Sequence, residues 1–234
     1  MPKLGYGVYQ VDAAETERCV ADAIRVGYRS IDTAQEKAAA SIDASLRKLK
    51  TDYIDLLLIH QPFNDYYGTY RAMEEAYKAG KVRAIGVSNF YPDRLIDLCK
   101  FVEVVPAVNQ VETHVFQQQA KAHEIMEKYG VRHESWGPFA EGRKDFFNNP
   151  VLNAVGAKYG KTAAQTALRF LLQSDVIVIP KSVHKERMAQ NFDVFDFTLS
   201  EEDMAAIRGL DEGESLFFSH YDPETVEFLT GLVK

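Results

Sequence analysis

Cysteine and positive charge are both in short supply in this sequence. Cys19 and Cys99 are the only cysteines among 234 residues, too few and too far apart for a disulfide framework. A reducing compartment, and with it a cytoplasmic location, is therefore expected. Lys and Arg number 27 against 34 Asp and Glu, which gives a net charge of −7. Nucleic acids and anionic membranes are not expected as partners, because both favour clustered cations.

Long apolar runs are also missing. The apolar run at 56–59 is only as long as a strand, whereas a membrane-spanning helix needs roughly 20 apolar residues. The first residues show no apolar stretch behind a basic region, so a signal peptide is not predicted. No low-complexity segment and no linker rich in Pro, Gly or Ser interrupts the chain. We therefore predict a single domain over residues 1–234.

What the sequence does contain is a regular alternation of apolar runs and amphipathic helices. Seven runs are predicted as strands: 5–9, 29–33, 53–59, 82–87, 107–112, 131–136 and 176–179. Helix signals lie between them: Gly27 after a first helix, a helix that opens at Thr69 and ends at Gly80, and a capping box of Thr162 and Gln165. This alternation predicts an α/β fold with a parallel sheet.

The polar residues favour a closed barrel over an open dinucleotide-binding sheet. Such a sheet carries G-x-G-x-x-G after its first strand, but Gly5 and Gly7 are followed by Gln10 where the third glycine is needed. Polar or aromatic residues instead end six of the predicted strands: Asp32, His60, Ser88 with Asn89, Gln110, Trp136, and Lys181 with Ser182. Sites assembled from several strand ends are typical of the (β/α)8 TIM barrel, which is therefore predicted. That barrel needs eight strands, and only seven are found.

The same strand ends offer chemistry that does not depend on a metal. Zinc sites usually need at least three protein ligands, and only Asp32 and His60 are available, so no metal site is predicted. Taken singly, Asp32 also fits a turn residue and His60 a core histidine. Their position on one rim beside Ser88, Asn89 and Gln110 favours a catalytic role.

Seven motifs carry a resemblance to a known family. They are GYGVY at 5–9, SIDTA at 30–34, LIHQP at 58–62, KVRAIGVSNF at 81–90, NQVE at 109–112, WGPF at 136–139 and IPKSV at 179–183. With these motifs the sequence resembles the aldo-keto reductase family, most of all its branch of diketogluconate reductases and prostaglandin F synthase-like enzymes. The resemblance runs over nearly the whole chain. It implies a (β/α)8 barrel that binds NADPH without a Rossmann domain and reduces aldehydes and ketones by hydride transfer.

The resemblance also implies roles for the strand-end residues nearest the reaction. His60 is expected to donate a hydrogen bond to the substrate carbonyl oxygen, and Asp32 to hold a neighbouring cation by charge pairing. Ser88, Asn89 and Gln110 are expected to hydrogen-bond the nicotinamide carboxamide. Trp136 stands where the family has an aromatic ring that stacks on the nicotinamide.

A second group of residues is implied to hold the other end of the cofactor. Lys181, Ser182 and Arg187 suit the adenosine 2′-phosphate, which favours NADPH over NADH. Asn191 is expected to contact the adenine. The family often has Glu where this chain has Gln190, so the chain departs from the family pattern at the contact to the adenine amino group.

One part of the family pattern is missing. The family's acid is a Tyr five residues after the motif Asp, and a Lys at the end of the third strand tunes it, but here the fifth residue after Asp32 is Lys37. The second helix and the third strand are therefore predicted to be absent, in agreement with the strand count. Either the natural polypeptide holds a segment that this sequence omits, or the deletion is real.

Two functions from different classes follow. The leading hypothesis is an NADPH-dependent carbonyl reductase, a monomer or weak homodimer that acts on a small carbonyl substrate. The alternative is a catalytically impaired NADPH-binding barrel that acts as a binding or scaffold protein. A degraded chain that does not fold is a third possibility.

Intact-mass spectrometry of the natural protein separates these explanations. A mass several kilodaltons above 26.4 kDa is expected if the natural chain carries the unit with the Tyr and Lys. A folded protein of 26.4 kDa would contradict the omission and establish a true deletion.

Overall fold

A computed structural model describes residues 2–7, 11, 13–28, 31–32, 42–43, 46–47 and 50–231 of the chain. Its strands are β1 (Tyr6–Gly7), β2 (Ile31–Asp32), β3 (Leu57–Ile59), β4 (Ile85–Ser88), β5 (Val108–Glu112), β6 (Arg132–Trp136) and β7 (Ile177–Val178). Its helices are α1 (Ala13–Val26), α2 (Tyr66–Lys78), α3 (Pro92–Phe101), α4 (Ala120–Tyr129), α5 (Pro150–Tyr159), α6 (Ala163–Gln173), α7 (Lys185–Phe192), α8 (Glu201–Arg208) and α9 (Pro223–Gly231).

Each of these strands lies within or across a run that the sequence predicts as a strand, and the pairs between them are parallel. The α/β class with a parallel sheet is thereby confirmed. The strands are shorter than predicted, and β3 shows why. Ile54 forms a separate bridge with Val82, and the continuous ladder begins only where Leu57 pairs with Ile85. The predicted join between the second strand and the following helix, residues 33–41, lies outside the described residues.

The chain divides into two compact units, each built from three segments. Unit 1 comprises residues 1–34, 112–119 and 134–216, and unit 2 comprises residues 35–111, 120–133 and 217–234. Each unit has a hydrophobic core of its own. That residues 1–234 form a single domain stays a prediction.

In unit 1, strand β1 is paired along both sides. Gly7 lies opposite Asp32 of β2 on one side and forms a bridge with Lys181 on the other. The approach on the second side is close, because a side-chain carbon on Gly7 would lie 2.9 Å from the carbonyl oxygen of Ile179. A glycine is therefore needed here for close packing. Helices α1 and α7 pack against each other, and Tyr6 and Met188 lie in the core of this unit.

In unit 2, strands β3, β4 and β5 form a ladder whose register aligns their carboxyl ends. Ile59 lies opposite Val87, and Ser88 lies opposite Gln110. Glycine is required again within β4, since a side-chain carbon on Gly86 would lie 2.7 Å from a backbone oxygen of the neighbouring strand. Helices α3 and α4 pack against each other beside this ladder.

Side-chain caps fix the helix ends. The Thr162 and Gln165 box at the start of α6 is confirmed, with both of its hydrogen bonds formed. The predicted start of α2 at Thr69 is wrong. The helix begins at Tyr66, because the Asp65 carboxylate accepts the Gly68 N–H at 2.8 Å and caps the helix one turn earlier.

Within the described part of the chain, no helix has both the length and the apolar character needed to cross a bilayer.

Helix α8 is held at its first turn by a buried carboxylate. Asp203, whose side chain is 2% exposed, accepts hydrogen bonds from Lys158 Nζ at 2.6 Å, Tyr159 Oη at 2.6 Å and Ser200 Oγ at 2.9 Å. The charge-assisted bond from Lys158, and then the bond from Tyr159, lower the pKa of Asp203 to about 2.

Asp203→Asn is expected to destabilise the protein by about 1–3 kcal/mol, because a buried network loses its charge. Since the folded-state pKa lies below the unfolded value of about 3.9, the contribution of Asp203 is complete above about pH 4 and is lost as the pH falls toward 2. Urea unfolding between pH 2 and pH 7 measures both effects. The control is Glu202→Gln, which removes an exposed neighbouring charge and should leave stability nearly unchanged. Equal stability of Asp203→Asn and Glu202→Gln at pH 7 would contradict the stabilising role of the Asp203 carboxylate.

Candidate active site

Unit 2 brings four of the predicted site residues to the same end of its ladder. Ser88 closes β4 opposite Gln110 of β5, and His60 follows the last residue of β3 directly. The imidazole of His60 is exposed, whereas Ser88, Asn89 and Gln110 are buried. An exposed imidazole beside a buried polar group is suited to meet a small molecule at this edge.

The buried residues are joined by hydrogen bonds that cross the three strands. Ser88 Oγ donates to the Gln110 carbonyl at 2.8 Å, and Asn89 Nδ2 donates to the His60 carbonyl at 3.1 Å and to Ser88 Oγ at 3.2 Å. Asn89 has a φ of 61°, a left-handed conformation that residues other than glycine adopt infrequently. Backbone strain of this kind is concentrated at functional sites, where the surrounding bonds maintain it.

Asn109 maintains that conformation, and sequence reasoning gave it no role. Its Oδ1 accepts the Phe90 N–H at 3.3 Å, and its Nδ2 donates to the Phe90 carbonyl at 2.7 Å. Both residues are buried, so these bonds satisfy the main chain immediately after Asn89. The available signal was a second amide directly beside Gln110, flanked by Val108 and Val111 in β5.

The C-terminal segment adds another residue that was not predicted. His220 stacks on Phe63 with ring centroids 5.5 Å apart, and its Nε2 lies 2.7 Å from Gln61 Oε1, next to His60 in the chain. Burial, and after it the charges of Arg94 and His60, lower the pKa of His220 to about 4. The ring is therefore neutral at pH 7, and Nε2 carries the proton that it donates to Gln61.

Unit 1 holds the other predicted site residues. Asp32 and Lys181 lie at the same level on either side of Gly7, which places their backbones about 10 Å apart, two strand spacings. Arg187 and Asn191 lie on α7, with Arg187 exposed and Asn191 buried. The side chain of Asp32 lies outside what the structure describes. Trp136 is half-buried at the end of β6, and Lys37 is outside the described residues.

Two cations of unit 1 have no acidic partner among the residues that the structure describes. In these ranges the side chain of neither Lys181 nor Arg187 forms an ion pair or a hydrogen bond, although acids outnumber bases in this chain. Between them, Ser182 is buried, and its Oγ accepts the His184 N–H at 3.1 Å. Exposed unpaired cations on a fixed backbone are suited to bind an anion.

Across the residues that the structure describes, no group of three or more His, Cys, Asp or Glu side chains could hold a metal ion. That the protein has no metal site stays a prediction.

Comparison with known proteins places this arrangement in a class of oxidoreductases. The model of the Aldo/keto reductase family matches residues 34–212, which is more than half of the chain. The chain belongs to the aldo/keto reductase family. Glyoxal reductase of Bacillus subtilis is 38% identical, with 92% of this chain and 90% of that protein aligned. Methylglyoxal reductase DkgA of Escherichia coli is 36% identical, with 92% of each chain aligned.

Solved structures agree with the sequence relatives. An aldo-keto reductase from a Medee basin deep-sea metagenome library superposes with a TM-score of 0.89 at 35% identity, covering 95% of this chain and 96% of that one. Aldo-keto reductase AKR2E5 of the silkworm, in a complex with NADPH, gives a TM-score of 0.85 at 30% identity, covering 92% of this chain and 86% of that one. The fold is therefore that of the aldo-keto reductases.

Asn109→Ala is expected to lower the stability of the protein by about 2–4 kcal/mol, because the buried main chain of Phe90 loses both partners. The matched control is Asn153→Ala, which removes an exposed amide bonded to the Phe147 carbonyl and should change stability by less than about 0.5 kcal/mol. Chemical denaturation compares the two variants. Equal losses in both would show that Asn109 does not support the Asn89 turn.

Proposed function

We propose that this protein reduces aldehydes and ketones to alcohols with NADPH. The observation that carries the proposal is the cluster in which His60 stands beside the buried Ser88, Asn89 and Gln110 at the carboxyl ends of parallel strands. Membership of the aldo/keto reductase family supports it. The Bacillus subtilis relative is a glyoxal reductase, which points to small carbonyl compounds as the substrate class.

The residues present fit the cofactor at its phosphate end. Lys181 and Arg187 have no acidic partner among the described residues, so a 2′-phosphate would not have to displace one. These two cations and Ser182 would hold that phosphate, and Asn191 the adenine. Ser88, Asn89, Gln110 and Trp136 would hold the nicotinamide. When bound, NADPH supplies the hydride.

The side chains of the protein carry out the remaining steps of the reduction. His60 donates a hydrogen bond to the carbonyl oxygen, which orients the substrate and stabilises the negative charge that develops on oxygen. The family resemblance gives Asp32 the role of pairing with a neighbouring cation. The product oxygen then needs a proton, and the family's Tyr is missing from the position that Lys37 occupies.

We further propose that the chain lacks one βα unit of the (β/α)8 barrel, namely the second helix and the third strand. The seven strands within the described residues support this. The alignment with the Bacillus relative supports it as well, because it runs over 251 positions although this chain has 234 residues. Either explanation of the gap stays open, and a monomer or weak homodimer in the cytoplasm stays a prediction.

The second candidate function is an NADPH-binding protein without turnover. The missing Tyr and Lys favour it, because the cofactor residues do not depend on them. NADPH would then alter the fluorescence of Trp136, the only tryptophan, without any oxidation in the presence of a carbonyl compound.

The two functions are separated by measuring NADPH oxidation with glyoxal, followed by absorbance over a range of pH. Glyoxal-dependent oxidation is expected. Binding of NADPH without oxidation at any pH would favour the second function, and neither binding nor oxidation would overturn both.

Replacing Lys181 and Arg187 together by Met is expected to raise the Kd for NADPH by about 10- to 100-fold, since charge-assisted hydrogen bonds contribute about 1.5–3 kcal/mol. The Kd for NADH should change little, because NADH has no 2′-phosphate. Lys185→Met, an exposed cation on the same segment, is the control and should leave both Kd values unchanged. Titration of Trp136 fluorescence gives the Kd values. An equal effect on NADPH and NADH would contradict a phosphate site.

A further inference from the structure

Two buried tyrosines contact the segment that carries Lys181 and Arg187, the two exposed cations of the candidate phosphate site. Tyr6 Oη donates to the Ser182 carbonyl at 2.5 Å, and Tyr28 Oη donates to the Met188 carbonyl at 3.2 Å. The acceptors are main-chain atoms directly after Lys181 and directly after Arg187. The tyrosines therefore hold the backbone of both cationic residues.

Both tyrosine hydroxyls remain hydrogen-bond donors at neutral pH. Both rings are buried, with centroids 5.8 Å apart, and Tyr28 also makes an edge contact with Phe192 at the end of α7. Burial raises the pKa of Tyr6 and of Tyr28 well above the usual range, so both hydroxyls keep their protons. Each hydroxyl can then donate to one main-chain carbonyl at any pH near neutrality.

Further hydrogen bonds fix the backbone between β7 and α7. Arg18 donates to the Val183 carbonyl at 3.4 Å, and Ser182 Oγ accepts the His184 N–H at 3.1 Å. Gly7 donates to the Pro180 carbonyl at 3.4 Å. Side-chain donors from residues 6–28 thus reach two carbonyls of this segment, those of Ser182 and Val183, and the carbonyl of Met188 within α7.

We propose that Tyr6 and Tyr28 are positioning residues that set the preference for NADPH over NADH, by holding the backbone from which Lys181 and Arg187 reach the 2′-phosphate. The inference rests on the proposed function. A cation on a long flexible side chain binds a phosphate well only if its backbone is already fixed, since ordering it on binding would lower the affinity. NADH lacks the phosphate, so its affinity does not depend on this arrangement.

The test replaces each tyrosine by phenylalanine, which removes the hydroxyl and keeps the ring packing. Tyr6→Phe and Tyr28→Phe are each expected to raise the Kd for NADPH by about 5- to 20-fold, the effect of one lost hydrogen bond, with little change for NADH. The ratio of the two Kd values, from calorimetry, is the decisive quantity, because general loosening of the fold would change both alike.

Tyr159→Phe is the matched control. It removes the hydroxyl of a half-buried tyrosine of the same unit, which is bonded to Asp203 at 2.6 Å and has no hydrogen bond to residues 181–191 in the described contacts. It should lower stability and leave the ratio unchanged. Hydrogen exchange of the free protein gives a second measurement, in which the amides of 182–188 should exchange faster in Tyr6→Phe and not in Tyr159→Phe.

The outcomes separate the two proposals. If the unaltered protein binds NADPH more tightly than NADH, and neither phenylalanine variant changes that ratio, the positioning role is overturned while the proposed function stands. If the unaltered protein does not bind NADPH, the proposed function fails and the positioning role fails with it. If a variant binds poorly only because it unfolds, both cofactors lose affinity together, which also counts against the positioning role.

Discussion

Parallel pairing of short strands is the constraint on which the other features depend. In a parallel ladder every strand points the same way, so residues that follow different strands in sequence come to one edge. Ser88 meets Gln110 in this way in unit 2, and Asp32 and Lys181 flank Gly7 in unit 1. The ladder needs close approach, which is why Gly7 and Gly86 stand where a side-chain carbon would strike a neighbouring carbonyl oxygen.

Short strands leave many main-chain groups outside the ladder, and side chains satisfy them. Asn109 bonds both main-chain groups of Phe90, and Tyr6 and Tyr28 bond carbonyls near the cationic residues. Glu112 has a comparable role, since its carboxylate accepts the Leu216 N–H at 2.9 Å and pairs with His114 at 3.0 Å. A buried donor or acceptor without a partner is costly, so these side chains are as necessary to the site as the residues that would touch a ligand.

Most of the framework was predictable from sequence because it follows local rules. Apolar runs located the strands, and Thr162 with Gln165 identified the start of α6. Two candidate cap residues, Asp65 and Thr69, lie close together at the start of α2. The pattern predicted a start at Thr69, but Asp65 caps the helix one turn earlier. The roles of Tyr6 and Asn109 could not be predicted. A tyrosine in an apolar strand looks like core, and its acceptor lies 176 residues away in the chain.

The composition of unit 1 has a consequence for how the protein is made. This unit joins residues 1–34 to residues 134–216, so β2 is available to β1 early, whereas the segment around Ser182 is synthesised much later. The hydroxyl of Tyr6 cannot reach its carbonyl acceptor until Ser182 has been synthesised, and loop closure over that distance carries an entropic cost. Contacts so distant in sequence slow folding and leave apolar segments exposed in the meantime. Protection of the segment around Tyr6 until Ser182 has been synthesised would therefore favour correct folding.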